Sequence, residues 1–339
     1  MKAFQILSPG MTGLCDIDAP LEINDDDVTI RISRVGLCGS DLNTFRGLNP
    51  LVSYPRIPGH EIGGTVTNIG RKVLNCQPGD KVVVIPYTEC GSCAACRSGR
   101  FNACENNQTL GVQRDGAMTS SFVSPGKKVL VCNNLSFDEL ALVEPLAVGM
   151  RVARRAHIDV GETIAVFGCG VVGLGAIAGA AAMGGRVVAI DIDDRKENIA
   201  LACGAERFFN IAKNDLSELA NSINNEHGPS VVIEAVGHES TYLGAITLAA
   251  FAGRVVYVGY AKKPVSFDTS LFVKKELDIL GSRNATARDF SAVLSLMEQK
   301  RYPTDQLITA HYPLEKAGQA FSDWANDTGG VTKFLIDIE

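Results

Sequence analysis

A glycine cluster between a predicted strand and a predicted helix constrains the fold of this 339-residue chain more than any other feature. The apolar run Thr163–Phe167 is typical of a buried strand, and a helix of small residues follows the cluster as far as Gly184. Between them, residues 168–173 match the pattern G-x-G-x-x-G. In this context the motif predicts a strand–turn–helix unit that binds the pyrophosphate of a dinucleotide at the helix N-terminus.

Each glycine of this motif has its own structural role. Gly168 permits the tight turn, Gly170 lets the backbone approach the pyrophosphate, and Gly173 lets the helix pack on the strand. The alternative interpretation is an ordinary glycine-rich turn with no ligand. The predicted cofactor-binding residues are Gly168, Gly170, Val171, Val172, Gly173, Asp191, Ile192, Lys196, Arg283 and Asn284.

An aspartate at the end of the next predicted strand indicates which dinucleotide is bound. Asp191 follows the apolar run Arg186–Ile190. A carboxylate in this position accepts hydrogen bonds from the adenosine ribose hydroxyls and repels a 2′-phosphate. Asp193 and Asp194 add to that repulsion. The sequence therefore favours NAD over NADP.

Strands and helices alternate with short loops from about Gly161 onwards. A helix is predicted over Asp193–Cys203 with Asp193 as its N-cap, and strands over Ser230–Val236 and Arg254–Gly259 flank another helix. This alternation predicts an α/β fold with a doubly wound parallel sheet. After Gly281 the predicted elements are helices over 287–300 and 314–325 and a strand over 333–338.

The first 150 residues or so are rich in predicted strands instead. Val28, Ile30 and Ile32 alternate with polar residues, which is typical of a half-buried strand. Short β-branched runs follow at 64–69 and 81–85, broken by Gly and Pro. Many short strands with turns between them predict a partly closed, barrel-like β domain.

Charge and composition exclude several classes of partner. The formal net charge is −6 and no block of Lys and Arg occurs, so we expect no nucleic-acid or membrane partner. The N-terminal sequence lacks the apolar stretch of a signal peptide, and we expect a soluble, cytoplasmic protein. Ten cysteines in such a chain indicate metal or thiolate chemistry rather than disulfides.

Four cysteines with the spacing C-x2-C-x2-C-x7-C form the most specific pattern in the chain. Cys90, Cys93, Cys96 and Cys104 can close a tetrahedral all-thiolate zinc site that leaves no position for substrate, so its role would be structural. An iron–sulfur site is the alternative, but its motif needs a closer fourth cysteine that a proline follows.

A thiolate, an imidazole and a carboxylate in separate segments indicate a second metal. Cys38, His60 and Glu144 suit a catalytic zinc with one exchangeable position. None of the three is persuasive alone, because a lone buried cysteine usually serves packing. Their presence beside a four-thiolate site and a dinucleotide motif makes the zinc interpretation the stronger one.

The sequences GLCGSD, GHEIGGTV, the four-cysteine segment, EPLAVG and GCGVVG occur in this order. With them the chain resembles the zinc-containing medium-chain dehydrogenase/reductase family over essentially its whole length. With Glu144, the EPLAVG motif resembles that of the sorbitol, polyol and threonine dehydrogenase branch, whereas liver-type alcohol dehydrogenases have a cysteine at this position. The resemblance implies a GroES-like catalytic domain (1–150, with the structural zinc lobe at about 88–106), a Rossmann domain (151–284) and a C-terminal segment (285–339) that returns to the catalytic domain.

The resemblance also implies two zinc ions, NAD, and roles for particular residues. Cys38 and His60 are carried over as ligands of the catalytic zinc, and the third ligand is either Glu61 or Glu144. Such a zinc lowers the pKa of a bound hydroxyl, and Ser40 matches the hydroxyl that takes the proton. Many members have a relay histidine where this chain has Asn43, whose amide cannot act as a base. We expect the proton to leave through water or a neighbouring acid such as Glu144.

The expected reaction is hydride transfer from a secondary hydroxyl of a polyol or sugar acid, such as a hexonate, to NAD, giving the ketone. The alternatives are an L-threonine or short-chain secondary alcohol dehydrogenase, and an NAD-sensing zinc protein that is not an enzyme. Candidate substrate residues are Ser40, Arg46, Tyr54 and Arg283, and Arg283 has the geometry to clamp a carboxylate. The family is commonly dimeric or tetrameric, and Leu277–Gly281 is a plausible edge strand for a homodimer or homotetramer.

Overall fold

The structure, a computed structural model, describes residues 1–19, 23–223 and 227–338. The chain divides into two compact units. The first unit is Met1–Glu144 with Thr286–Gln299 and Thr304–Glu339, and the second is Pro145–Ala285 with Lys300–Pro303. None of the helices within the described residues is both long enough and apolar enough to cross a bilayer.

The described residues form fifteen strands. In chain order they are β1 (Lys2–Ser8), β2 (Met11–Asp16), β3 (Asp27–Gly36), β4 (Glu61–Ile69), β5 (Lys81–Val84), β6 (Ser121–Pro125), β7 (Val129–Val131), β8 (Thr163–Phe167), β9 (Arg186–Asp191), β10 (Arg207–Asn210), β11 (Val231–Glu234), β12 (Arg254–Tyr257), β13 (Asp278–Gly281), β14 (Ala310–Pro313) and β15 (Phe334–Asp337).

Eleven α-helices and four short 3-10 helices accompany these strands in the described residues. The α-helices are α1 (Gly39–Phe45), α2 (Ala94–Arg97), α3 (Phe137–Arg155), α4 (Val171–Ala182), α5 (Glu197–Ala202), α6 (Leu216–Asn221), α7 (Glu239–Leu248), α8 (Ser270–Lys275), α9 (Ala287–Glu298), α10 (Thr304–Leu307) and α11 (Ala317–Asn326). The 3-10 helices are Phe101–Ala103, Gly126–Lys128, Asp194–Lys196 and Leu314–Lys316.

The first unit is built around β3, the longest strand of its seven-stranded sheet. The strand order is β14-β15-β3-β4-β5-β7, β6 also pairs with β3, and β1 and β2 form a separate two-stranded sheet. Val28, Ile30 and Ile32 on β3 are fully buried, which confirms the alternation seen in the sequence. The antiparallel register places Gly36 opposite Glu61. The end of β3 and the start of β4 therefore lie side by side.

The second unit contains a six-stranded parallel sheet in the order β10-β9-β8-β11-β12-β13. The strand order reverses at β8, which pairs with β9 on one side and β11 on the other. This confirms the predicted doubly wound sheet, whose ligand crevice lies at such a reversal, outside the carboxyl ends of the strands. The predicted edge strand is β13, which pairs only with β12 among the described strands.

Two predicted helices differ in detail from the structure, and one observed helix was not predicted. The helix expected over 193–203 begins as the 3-10 turn Asp194–Lys196, with the Asp193 side chain accepting from the backbone N–H of Arg195, and continues as α5. The helix expected over 314–325 likewise begins with a 3-10 turn before α11. α1 was not predicted, because seven residues are too few to show a helical period.

The glycine loop has a steric reason for its first and third glycines. Gly168 has φ +93°, in the left-handed region that favours glycine. A Cβ at Gly173 would overlap the carbonyl oxygen of Gly168. Gly170 is the N-cap of α4, and a Cβ there would meet nothing within 4 Å. That open side of Gly170 leaves room for a phosphate at the helix N-terminus.

We expect Gly173→Ala to destabilise the protein by about 1–3 kcal/mol, because the new methyl group meets backbone that cannot swing aside. Gly170→Ala is the matched control, and its cost should stay below about 1 kcal/mol because only the helix cap changes. Urea unfolding followed by circular dichroism measures both. Equal losses for the two variants would contradict the steric argument.

Candidate functional site

Cys38 lies just after β3, where the chain turns into α1. It is the N-cap of that helix, and its backbone N–H donates to Asp41 Oδ2 at 3.1 Å. Asp41 is fully buried. Burial raises the pKa of its carboxyl, against the opposing effect of His60. The cap fixes the position of the Cys38 backbone and places a carboxylate behind the thiol.

His60 and Glu61 lie where β4 begins. Gly59 before them has φ +104°, and both side chains are buried. His60 Nδ1 lies 3.9 Å from Asp41 Oδ1. Burial lowers the pKa of the imidazole, but the charges of Asp41 and Cys38 outweigh it and hold that pKa well above its usual value. The pocket therefore favours positive charge between these acidic groups.

The structure brings Cys38, His60 and Glu61 together, with one ligand atom from each within 4.8 Å of the others. A thiolate, an imidazole and a carboxylate are a donor set that zinc accepts, with one tetrahedral position left open. His60 Nδ1 and Ser40 Oγ are buried and have no hydrogen-bond partner among the residues that the structure describes. These orphaned polar atoms fit a site that is completed by a metal and a ligand. We call Cys38, His60 and Glu61 the metal cluster.

Glu61 is also held by a buried lysine that the sequence did not single out. Lys333 Nζ donates to Glu61 Oε1 at 2.7 Å, to Glu61 Oε2 at 2.6 Å and to the carbonyl of Leu37 at 2.8 Å. Lys333 is 1% exposed and Glu61 is fully buried. A Cβ at Gly36 would overlap Glu61 Oε2, so only glycine leaves space for this carboxylate.

Glu144 lies on α3 and is buried beside the same groups. The hydroxyl of Tyr87, itself buried, donates to Glu144 Oε1. Burial raises the pKa of Glu144 to about 7, and the charge of His60 acts in the opposite direction. Burial likewise raises the pKa of Tyr87, so its hydroxyl keeps its proton. Glu144 is thus close enough to influence the metal cluster but is not part of it in this structure.

The four cysteines of the predicted structural site converge. The sulfur atoms of Cys90, Cys93, Cys96 and Cys104 all lie within 4.8 Å of one another. Backbone N–H groups donate to three of them, from Cys93 to Cys90 Sγ at 3.3 Å, from Cys96 to Cys93 Sγ at 3.4 Å and from Cys90 to Cys104 Sγ at 3.3 Å. Hydrogen bonds from Ser92 lower the pKa of Cys90 to about 5. Backbone hydrogen bonds also lower the pKa of Cys93, whereas burial raises the pKa of Cys96 to about 12. The site thus favours the thiolate, the form that binds zinc, at Cys90 and Cys93, and zinc binding would have to displace the proton of Cys96.

Asp191 ends β9 and contacts the glycine loop. Its Oδ2 accepts from the backbone N–H of Cys169 at 2.7 Å, and its Oδ1 accepts from those of Ile192 and Asp193 at 2.7 and 3.1 Å. The carboxylate therefore holds the loop in place, a task that the motif did not predict. A carboxylate has about four acceptor sites, so it can still accept from ribose hydroxyls. Burial lowers the pKa of Lys196 nearby, against the charge of Asp191.

Other predicted site residues have internal partners or belong to the second unit. Arg46 Nη2 donates to the carbonyl of Ala325 at 2.7 Å, and the Tyr54 hydroxyl donates to the carbonyl of Thr44 at 2.5 Å. Asn43 is half-buried on α1, and its carbonyl accepts from the N–H of Leu48 at 2.7 Å. Ile192, Arg283 and Asn284 lie in the second unit, Ile192 being largely exposed and Asn284 having φ +51°.

Three residues of this site were not predicted from the sequence. Asp41 had a signal, because it stands in the GLCGSD motif with a helix-capping spacing to Cys38. Lys333 had none, since 272 residues separate it from Glu61. Tyr87 is 57 residues from Glu144 and resembles any core tyrosine in the sequence.

Comparisons with known proteins agree with this geometry. Residues 24–134 match the family model described as the alcohol dehydrogenase GroES-like domain, and residues 171–299 match that of zinc-binding dehydrogenases. An L-galactonate-5-dehydrogenase of Escherichia coli strain K12 is 35% identical over 298 residues, which cover 88% of this chain and 87% of that protein. A sorbitol dehydrogenase of Bacillus subtilis strain 168 is 33% identical over 311 residues, 88% and 86% of the two chains.

Among solved structures, galactitol-1-phosphate dehydrogenase from Escherichia coli matches with a TM-score of 0.92 and 26% identity over all of both chains. The chain belongs to the zinc-containing medium-chain dehydrogenase family, as its motifs predicted. It is thus a zinc-dependent alcohol or polyol dehydrogenase by class, and the expected combination of a GroES-like and a Rossmann fold is confirmed.

We expect Lys333→Met to destabilise the protein by about 3–5 kcal/mol, because Glu61 is then left charged and buried without its partner. The double variant Lys333→Met, Glu61→Gln should recover part of the loss. Urea unfolding at equal zinc content measures both. Lys2→Met is the control, since its pair with Asp16 is exposed and such pairs contribute about 0–1 kcal/mol. Similar effects at the two lysines would contradict the expectation.

Proposed function

We propose that this protein oxidises a secondary hydroxyl of a sugar acid or polyol, such as a hexonate, to the ketone and transfers the hydride to NAD. The observation that carries the proposal is the metal cluster, in which His60 and Glu61 are buried and Cys38 is partly buried, with the buried and unpartnered hydroxyl of Ser40 two residues after Cys38. A zinc ion held there would lower the pKa of a substrate hydroxyl.

The donor atoms of Cys38, His60 and Glu61 support these residues as the protein ligands of the catalytic zinc. Lys333 bonds to both oxygens of Glu61 but leaves acceptor positions on them. Glu144 is the alternative third ligand, since it is buried nearby and the Tyr87 hydroxyl occupies one side of its carboxylate. Cys90, Cys93, Cys96 and Cys104 would hold the structural zinc.

Residues of the chain would provide a path for the substrate proton. The Ser40 hydroxyl, two residues after Cys38, would accept the substrate hydroxyl proton while passing its own to water or to Glu144. A carboxyl with a pKa of about 7 is suited to exchange that proton near neutral pH. Asn43 has no titratable group and would at most position water. The carbon that bears the substrate hydroxyl would release its hydride to bound NAD, so that the alcohol is oxidised as NAD is reduced.

The second unit supports NAD as the coenzyme. Gly170 leaves open space where a pyrophosphate would lie, Gly168 and Gly173 allow the turn and the close helix packing that place it there, and Val171 and Val172 open the helix whose N-terminus would face the phosphates. The Asp191 carboxylate would bind the ribose hydroxyls and exclude a 2′-phosphate.

Similarity to the L-galactonate-5-dehydrogenase supports a sugar-acid substrate, and similarity to the sorbitol dehydrogenase supports a polyol. Arg283 is the residue predicted from the sequence to bind a substrate carboxylate.

We also propose a cytoplasmic location, which the ten free cysteines support. A homodimer or homotetramer through the β13 edge is supported by the exposed apolar side chain of Ile279 on that strand.

The decisive experiment combines metal analysis with a substrate panel. The purified protein should contain about two zinc ions per chain and reduce NAD with hexonates or hexitols. L-threonine and short secondary alcohols test the alternatives. Cys38→Ala should keep about one zinc and lose turnover, whereas Cys15→Ser, a change at a cysteine outside both clusters, should keep both metals and activity. NAD reduction by Cys38→Ala at the wild-type rate would refute the proposal.

We expect Asp191→Asn to raise the KM for NAD by roughly 10-fold or more, because hydrogen bonds to a charged group contribute about 1.5–3 kcal/mol. Discrimination against NADP should fall while kcat changes little. Asp191→Ala should be worse, since the Cys169 amide also loses its acceptor. Steady-state kinetics with both coenzymes measure this, with exposed Asp159→Asn as the control. Unaltered KM values for both coenzymes would exclude Asp191 from the site.

A further inference from the structure

Residues 109–118 form a loop, the 109–118 loop. Both of its ends are hydrogen-bonded to segments that contain residues of the metal site or their partners. At its start the N–H of Leu110 donates to the carbonyl of Pro86 at 3.1 Å, and Tyr87, the partner of Glu144, follows Pro86. At its end the N–H of Ala117 donates to the carbonyl of Gly59 at 3.0 Å, directly before His60. The loop therefore connects two segments of the metal site within the first unit.

The loop also lies tightly against the residues before His60. The N–H of Gly116 donates to the carbonyl of Ile57 at 2.7 Å. A Cβ at Gly111 would come within 2.7 Å of the Gly59 nitrogen, and one at Gly116 would overlap the Gly59 carbonyl oxygen. Such contacts leave the loop backbone little freedom, so the Cα atoms between these glycines are held at a fixed place relative to His60.

Arg114 lies between the two glycines and is half-buried. Its Nε donates to the carbonyl of Gln108 at 3.3 Å, a long hydrogen bond. Within the described parts of the chain, Arg114 forms no salt bridge, and burial alone lowers the pKa of its guanidinium. The neighbouring carboxylate of Asp115 is engaged by Arg56 Nη1 at 2.9 Å and by the N–H of Ile57 at 3.1 Å.

Burying part of a guanidinium without a partner carboxylate is unfavourable in free energy, because the charge loses hydration and gains no counter-ion. Its planar fork of donors matches a carboxylate in a bidentate pair. Arg114 also shares a unit with the metal cluster. These observations favour Arg114 as the partner of a substrate carboxylate.

We propose that Arg114 determines specificity by binding the carboxylate of a sugar acid whose secondary hydroxyl lies at the metal cluster. This inference rests on the proposed dehydrogenase function and narrows its substrate class. The arginine acts on binding and takes no part in hydride or proton transfer. A neutral polyol of the same carbon chain would reach the metal cluster without this contact, and the enzyme should therefore prefer the acid.

The test compares one hexonate with the hexitol of matching configuration, with NAD as coenzyme. Arg114→Gln should lower kcat/KM for the hexonate by about 10- to 100-fold, mostly through KM, as expected for loss of a charge-assisted pair. The value for the hexitol should change by less than about 2-fold. Arg114→Lys should keep part of the preference, since it keeps the charge but not the fork. Arg71→Gln, at an arginine that is 88% exposed, is the matched control and should alter neither value.

Equilibrium binding of the hexonate, measured by calorimetry on wild type and Arg114→Gln, separates failure of the inference from failure of the proposed function. Weaker binding to the variant supports the inference even if no turnover occurs, in which case the proposed function alone fails. Turnover of hexitols with no binding of any hexonate overturns the inference alone. An equal loss for acid and polyol, or a loss of the acid preference in Arg283→Gln but not in Arg114→Gln, also overturns it.

Discussion

The buried ion pair between Lys333 and Glu61 is the interaction on which the arrangement of the metal site depends. Cys38, Glu61, Glu144 and Asp41 are potentially anionic groups in one pocket, and the last three are almost completely shielded from water. Crowding such groups is unfavourable unless cations share the space. Lys333 supplies one positive charge, and its bond to the carbonyl of Leu37 joins it to the residue before Cys38. A zinc ion at the metal cluster would supply further positive charge, so these groups are arranged for a cation.

Strand register explains how groups so distant in sequence meet. Gly36 pairs with Glu61 across β3 and β4 and with Leu335 on β15, which follows Lys333 by two residues. A one-residue slip would turn every side chain on a strand to the opposite face and separate the pair. The absence of a side chain at Gly36 is then required, because the carboxylate of Glu61 fills that space. The hydrophobic alternation of β3, which fixes the register, thereby also positions the chemistry.

The parts of this protein that the sequence predicted are those governed by short-range patterns. The glycine loop, the four-cysteine segment and the alternation of β3 are each confined to a few residues, and each takes the predicted geometry. The third metal ligand is different, since Glu61 and Glu144 have equal claims in the sequence. The pairing of Gly36 with Glu61 brings Glu61, which follows His60 in the chain, to Cys38. Lys333 and Tyr87 could not be predicted, because their partners are set by tertiary packing rather than by spacing.

The division of the chain into two units separates two kinds of recognition. In the second unit Asp191, the residue proposed to select the coenzyme, also supports the glycine loop through the Cys169 amide, so removal of its side chain would loosen the loop. In the first unit the acid nearest Arg114 is committed to Arg56, which leaves the Arg114 guanidinium for a ligand. A hydroxyl at the metal cluster would be common to acid and polyol substrates, so discrimination between them has to come from groups further along the substrate chain. A half-buried arginine fixed relative to His60 provides such discrimination for acids.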